Sequence, residues 1–305
     1  MKQPLRSSPA PFRVAAAQIR PKKADYPANL ERVTEVLAQA SALDPPADVV
    51  VFPETAVTGY FLEGGVGEAA VPAEQLHADL VRGFVAAGIE RPMDVVVGFY
   101  EAAAGHLYNS AMYCELSPGN SRIAHVHRKF FLPTYGVFDE GRFVRRGRTF
   151  GAFPTRFGKA AVLICEDVWH SISTTIVALR GAQLVYLVTA SPGRGFSGEV
   201  IGNLAKYRQL VVSAAEEHSV FVFNASLVGF EGGKGLIGGS MIVNPLGQVI
   251  AEAPTTEEAL LVADCDPSDI ETARLNSPLL ADLRSALGDV VAEMDTLVED
   301  AADAS

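Results

Sequence analysis

Short apolar runs rich in Val, Ile and Phe recur along the chain: ADVVVFPE (47–54), MDVVVGFYE (93–101), AAVLICED (160–167), AQLVYLVTAS (182–191), VFVFNAS (220–226) and GSMIVNP (239–245). Their hydrophobicity is continuous rather than alternating, which predicts strands covered on both faces. Val14 to Gln18 predicts a first strand ahead of them. Segments of helical period lie between. In 27–43, Leu30, Val33, Leu37 and Ala40 share one face at 3.6-residue spacing, and 171–180, 200–218 and 278–299 read likewise. Stretch 106–130 differs: two alternating runs, HLYNSAMYCEL and SRIAHVHRKF, are joined by SPGN, which predicts a hairpin. NPLG at 244–247 predicts a further turn between strands. The pattern is that of a layered α/β fold with some antiparallel pairing. No linker or repeat divides it, so one domain is expected over 11–275. Residues 1–10 read as a loose N-terminal arm. Residues 276–305 read as a helix followed by an acidic, Ala-rich tail, suited to packing on a neighbouring subunit.

Composition narrows the class. Of 305 residues, 49% are hydrophobic and 20% charged, which provides for a sizeable core and excludes a disordered chain. A net charge of −11 disfavours phosphate backbones and anionic lipid, so neither nucleic acid nor a membrane surface is an expected partner. No apolar run reaches the ~18 residues of a membrane span. The opening stretch, with Arg13 and Gln18 inside its apolar part, lacks the core of a signal peptide. Three cysteines, Cys114, Cys165 and Cys265, are too few for a disulfide scaffold and fit a reduced cytoplasm.

Functional groups in open α/β sheets gather beyond the carboxyl ends of the strands. Several apolar runs end in Glu54, Cys165, Ser191 and Asn224. Each alone reads equally as a turn or packing residue. Cys165 departs from that reading because Glu166 and Asp167 follow it. Two carboxylates beside a thiol would raise its pKa above the ordinary ~8.5 and silence it. A reactive thiolate here requires a cation, for which Lys129 in HVHRKFFLPTYGVFDE is the candidate and Arg128 its rival. Cys114 and Cys265 show no such tension and read as structural.

Glu54 in VVFPETAVTGY, Lys129 in KFFLPTYGVFDE and Cys165 in LICEDVW resemble, in order and in separations of 75 and 36 residues, the three catalytic motifs of the nitrilase superfamily of carbon–nitrogen hydrolases. The resemblance runs from AAAQI (15–19) through GGSMIVNPLGQVI (238–250). It implies a four-layer αββα sandwich and a Glu–Lys–Cys site. Glu54 would be the general base, Lys129 the oxyanion holder and Cys165 the nucleophile that forms a thioester. The Glu166 N–H would be a second oxyanion donor. By the same resemblance Glu140 orients the lysine, and Tyr135 lines the pocket. Tyr60, Phe138 and Trp169 face the substrate, with core packing as the alternative for each aromatic. The extended KFFLPTYGVFDE and CEDVW are closest to the glutaminase domain of glutamine-dependent NAD synthetases. There Ser191 and Arg194, in ASPGRGF, would hold a carboxylate, with an ordinary Gly-rich loop as the equal alternative. Typical aliphatic nitrilases carry Trp-Glu after the cysteine where this chain has Glu-Asp, which favours an amide over a nitrile.

The expected activity is therefore hydrolysis of a small primary amide with release of ammonia, without metal or organic cofactor, by a homodimer or higher homo-oligomer. A stand-alone glutaminase serving a separate partner, an N-carbamoyl amidohydrolase and a nitrilase use the same trio. A catalytically silent scaffold is the non-enzymatic alternative. Gly233, Gly235 and Gly238 fit G-x-G-x-x-G, but a strand follows, so the dinucleotide reading fails. His125 and His127 lack further ligands for zinc. Arg142, Arg145, Arg146 and Arg148 form a basic loop that suits an anionic substrate or, better, an acidic patch at a subunit interface.

Overall fold

In the computed structural model, residues 10–198 and 200–303 are described; most of the expected N-terminal arm lies outside them. The strands are β1 (Phe12–Gln18), β2 (Val49–Val51), β3 (Met93–Ala103), β4 (His106–Leu116), β5 (Arg122–Arg128), β6 (Phe153–Thr155), β7 (Gly158–Ile164) and β8 (Leu184–Thr189). After them come β9 (Phe196–Ser197), β10 (Val200–Ile201), β11 (Phe221–Ser226), β12 (Val228–Glu231), β13 (Lys234–Ile237), β14 (Met241–Val243), β15 (Val249–Glu252) and β16 (Ala259–Cys265). The α-helices are α1 (Tyr26–Ser41), α2 (Val66–Ala69), α3 (Ala73–Ala86), α4 (Glu140–Phe143), α5 (Ser171–Leu179), α6 (Gly202–His218), α7 (Ser268–Asn276), α8 (Leu279–Ser285) and α9 (Leu287–Asp303).

Two six-stranded sheets, ordered β16-β1-β2-β3-β4-β5 and β15-β14-β11-β8-β7-β6, form the two inner layers. Within each, three neighbouring strands are parallel, β1-β2-β3 and β7-β8-β11, with antiparallel strands outside. Alternation along each strand explains the continuous apolar runs. Val14, Ala16, Val49, Val51 and Val96 meet Val162, Ile164, Tyr186 and Phe223 between the sheets. Their neighbours Ala15, Ala17, Val50, Val95 and Val97 pack instead under Val33, Leu37, Leu76 and Phe84 of α1 and α3. On the far side, Leu163, Val185, Leu187 and Val222 pack under Val177, Tyr207, Val211 and Ala215 of α5 and α6. Helix, sheet, sheet, helix: this is the αββα sandwich.

The hairpin joins β4 and β5 as expected, and NPLG turns β14 into β15. Three expectations need correction. The run 47–54 contributes only Val49–Val51 to the sheet, because Pro53 cannot donate to a ladder and the chain turns away before Glu54. The small β9–β10 hairpin precedes α6, which begins at Gly202. The expected helix 278–299 is two helices separated at Ala286, and the acidic segment after it continues helical to Asp303. Helix α8 lies on α5 and α6 through buried Leu280. Among the described residues no helix is long and apolar enough to cross a membrane.

Candidate active site

The carboxyl ends of β2 and β7 and the chain leaving β5 meet at one edge of the sandwich. Thr55, next to Glu54, takes a left-handed conformation with φ +50°. That turn lies directly on β3, since a Cβ at Gly98 would stand 2.5 Å from Glu54 Cα and Pro53 O. Lys129 follows β5; its N–H donates to Asn109 O (2.8 Å) and its carbonyl accepts from Gly147 N–H (2.7 Å). Cys165 closes β7 with φ +45° and opens a 3-10 turn over Cys165–Trp169. Left-handed backbone at a non-glycine residue is strained and clusters at functional sites.

Lys129 is wholly buried, and its Nζ donates to Glu54 Oε1 (2.8 Å) and Glu140 Oε1 (2.6 Å). Asn109 Nδ2 donates to the same Glu54 oxygen (2.7 Å), and Tyr60 Oη donates to Glu140 Oε1. Tyr100 Oη in turn holds the Tyr60 carbonyl (2.7 Å). The second oxygens, Glu54 Oε2 and Glu140 Oε2, are buried without a hydrogen-bond partner among the described residues. Burial pushes the Glu54 carboxyl up; Lys129 pulls it down and Glu140 raises it again, leaving it at about 7. Burial alone would depress Lys129, but Glu140 and then Glu54 raise it well above its ordinary value. Cys165 lies well above the ordinary thiol range, first through burial and then through Glu54, with Lys129 and the Ala190 backbone opposing.

The carboxylates that raise Cys165 most are thus Glu54 and then Glu140. The sequence reading places that opposition on the adjacent Glu166 and Asp167, whose side chains are engaged by other groups. Asp167 Oδ1 accepts from Phe130 N–H and Phe131 N–H (3.0 Å each), while Oδ2 accepts from Ile164 N–H (3.1 Å) and meets His127 Nε2 (2.8 Å). Glu166 accepts from Tyr135 Oη (3.0 Å). Arg128 is engaged elsewhere, in a two-point pair with Glu101 (2.7 and 2.8 Å). Lys129 is the cation of this site. His125 stacks on Phe153, so the two histidines go to separate partners.

Tyr60, Phe138 and Glu140 line a cavity of about 260 Å³ together with Phe61 and Tyr100. The Arg194 guanidinium lies over the rings of Phe138 (5.0 Å) and Tyr135 (5.4 Å), and Arg194 Nε is buried with no hydrogen-bond partner among the described residues. Ser191 stands apart from that cavity: its Oγ accepts from Asn203 Nδ2 (3.1 Å). Trp169 packs edge-on to Tyr207 in the layer under α5 and α6, so its alternative reading as core packing describes its place.

Residues 13–275 match the carbon-nitrogen hydrolase family. The chain belongs to that family. This carbon-nitrogen hydrolase is 27% identical over 84% of its length to a glutamine-dependent NAD(+) synthetase of Acinetobacter baylyi, of which it covers 44%. It spans under half the length of the synthetases it matches. An (R)-stereoselective amidase of a Pseudomonas species is 28% identical, with 90% of this chain and 93% of the amidase covered. Among solved structures, the NAD+ synthetase of Acinetobacter baumannii superposes with a TM-score of 0.73 at 26% identity, over 85% of this chain and 46% of that one. Saccharomyces cerevisiae Nit3, a member of branch 10 of the nitrilase superfamily, gives 0.74 at 22% identity, over 88% and 95%.

Sequence reading of the hydrolase missed Asn109, Asp167 as a buried acceptor, Asn203 and Gly98. Asn203 also accepts from Arg194 N–H (2.7 Å) and donates to Pro192 O (2.7 Å), shaping the loop that carries Ser191 and Arg194. Asn109, Asn203 and Gly98 each act on a segment at least nine positions away, and Asp167 reaches Phe130 and Phe131 as well as nearby Ile164. Gly98, interrupting MDVVVGFYE, was the one visible signal: glycine inside a strand marks close backbone approach.

Proposed function

We propose that this hydrolase cleaves the C–N bond of a small primary amide through a thioester on Cys165 and releases ammonia. The observation that carries the reading is the buried Lys129 held between Glu54 and Glu140 beside a strand-end cysteine. Glu54 takes the thiol proton as sulfur attacks the amide carbon. Lys129, with the Glu166 N–H, stabilises the oxyanion. Glu54 then passes the proton to the nitrogen, the C–N bond breaks and ammonia leaves the thioester. Water gives a proton to Glu54 and attacks the thioester; the C–S bond breaks, the acid departs and the proton returns to sulfur. A base near 7 suits a proton that must be taken and given back at neutral pH.

A stand-alone glutaminase is the second reading. It is favoured by the likeness to NAD(+) synthetases and by Arg194, whose Nε has no hydrogen-bond partner among the described residues and whose nearby aromatic faces suit a substrate carboxylate. The test is ammonia release from a panel of short amides, glutamine, ω-amido acids, N-carbamoyl amino acids and nitriles. At least one amide is expected to turn over, with loss of at least ~10³-fold in Cys165→Ala. Turnover of glutamine alone selects the second reading, and turnover of nitriles alone defeats both. Iodoacetamide should label Cys165 ahead of buried Cys114 and Cys265 and slow in Glu54→Gln. Absence of ammonia release from every compound, with no preferential labelling, would indicate a silent scaffold.

A further inference from the structure

Glu231 is buried, with 5% of its surface exposed, and the chemistry above makes no use of it. It ends β12, and Lys234, which opens β13, stands opposite it in the hairpin register. Glu231 Oε2 accepts from the backbone N–H groups of Tyr60 (2.7 Å) and Phe61 (3.0 Å). Its other oxygen, Oε1, is buried with no hydrogen-bond partner among the described residues. Burial raises this carboxyl, and the amides of Phe61 and Tyr60 oppose the rise. A buried carboxyl satisfied on one side only is unfavourable in itself. Its place in the fold is explained by what it holds.

That is one wall of the cavity beside Glu140. Gly59, at φ +80°, admits the carboxyl group, since a Cβ there would stand 2.9 Å from Glu231 Oε1. From the paired strand, Lys234 Nζ lies over the Phe61 ring (4.4 Å). One hairpin thus grips residues 60–61 twice, by the backbone and by a ring. It also binds the segment before Arg194: Gly193 N–H donates to Gly235 O (2.9 Å) and Ile237 N–H donates to Ser191 O (3.1 Å). Tyr60 carries the grip inward, because its Oη donates to the same Glu140 oxygen that accepts from Lys129.

We propose that Glu231 is a positioning residue: by fixing the Tyr60 and Phe61 amides it sets the Tyr60 hydroxyl against Glu140 and, through Glu140, orients Lys129. The kinetic consequence rests on the amide-hydrolysis reading above, whereas the placement of Tyr60 does not. The role needs an oxygen acceptor at this reach and no charge, so glutamine can fill it.

Turnover of the best amide of the panel is measured at urea concentrations where every variant is folded. Glu231→Ala strands both amides, and kcat should fall at least ~10-fold with KM changed less than about threefold. Glu231→Gln should return kcat to within about threefold of wild type. In a Tyr60→Phe background the further loss from Glu231→Ala should shrink below about threefold, as for residues that act through one another. Glu231→Met, which fills the space without an oxygen acceptor, replaces the alanine variant if that does not fold. Equal losses in both backgrounds, or a glutamine variant no better than alanine, would overturn the proposal. A crystal structure of Glu231→Ala supplies the arm that needs no turnover: Tyr60 Oη should lie beyond about 3.5 Å from Glu140 Oε1. Tyr60 unmoved there defeats the proposal whatever the substrate. Tyr60 displaced, with no amide turned over by the wild type, supports the placement and defeats the amide reading instead.

Discussion

One buried ammonium cannot neutralise two carboxylates, and in this site the surplus falls on Glu54, held at about 7. Under the proposed mechanism Glu54 accepts a proton only when ionised, so kcat/KM should fall on the acid side with a limb near that value. Asn109 Nδ2 supports the ionised form. Asn109→Leu removes that donor while leaving the Asn109 carbonyl to hold Lys129, and should move the limb to higher pH by up to about one unit. A pH profile of kcat/KM measures it; an unmoved limb would mean another group sets the acid side. Glu54, Lys129, Cys165 and Glu140 stood out in the sequence because their motifs are local. Asn109 did not, because its partner Glu54 is 55 residues away and nothing in HLYNSAMYCEL sets it apart from an ordinary strand position.

The turn after β5 and the turn after β7 are joined through the Asp167 side chain. Asp167 accepts from the two amides that follow Lys129 and from the amide that precedes Cys165. Asp167→Ala strands those buried donors and His127 together, and should cost about 3–5 kcal/mol in urea unfolding. Glu166→Gln, one residue away and facing Tyr135, should cost under about 1 kcal/mol. Gly98→Ala acts on the third turn: its Cβ would displace the Glu54 backbone, and a shift near 1 Å is worth about 10²-fold in rate. Measured kcat/KM should fall accordingly, and retention of activity would show that the turn adapts. Elements were legible where pattern and turn chemistry agreed, as in SPGN. They were misread where apolar content ran past a break: the helical period crosses Ala286 without interruption, and Pro53 alone marks where the 47–54 run leaves the sheet.

For the whole molecule, the layered architecture was readable because strands buried on both faces must be apolar at every position. Which residues cross between the sheets was not. Asp94 of β3 accepts from Tyr113 (2.5 Å) in its own sheet and from Arg156 (2.7 Å) at the β6–β7 turn of the other. Global stability also carries the charge imbalance of the site. Because the folded Glu54 carboxyl lies above its ordinary value, the native state binds that proton more tightly than the unfolded chain. Wild-type stability from this group is therefore full below the ordinary carboxylate range and is lost as pH rises from about 4.5 to about 7. Glu54→Gln lacks this dependence, so its stability relative to wild type should climb over that window by an amount on the order of 3 kcal/mol, then level off. Chemical denaturation at a series of pH values gives the difference directly. A gap constant across the window would show that Glu54 does not bear the surplus charge.

The enclosure of Lys129 reaches into handling of the protein. Lys22, Lys23, Lys159 and Lys206 are exposed, while Lys129 has no accessible surface. Reagents that seek amines, whether for attachment to a resin, for dye conjugation or for reductive methylation, will therefore decorate the periphery and spare the ammonium at the centre.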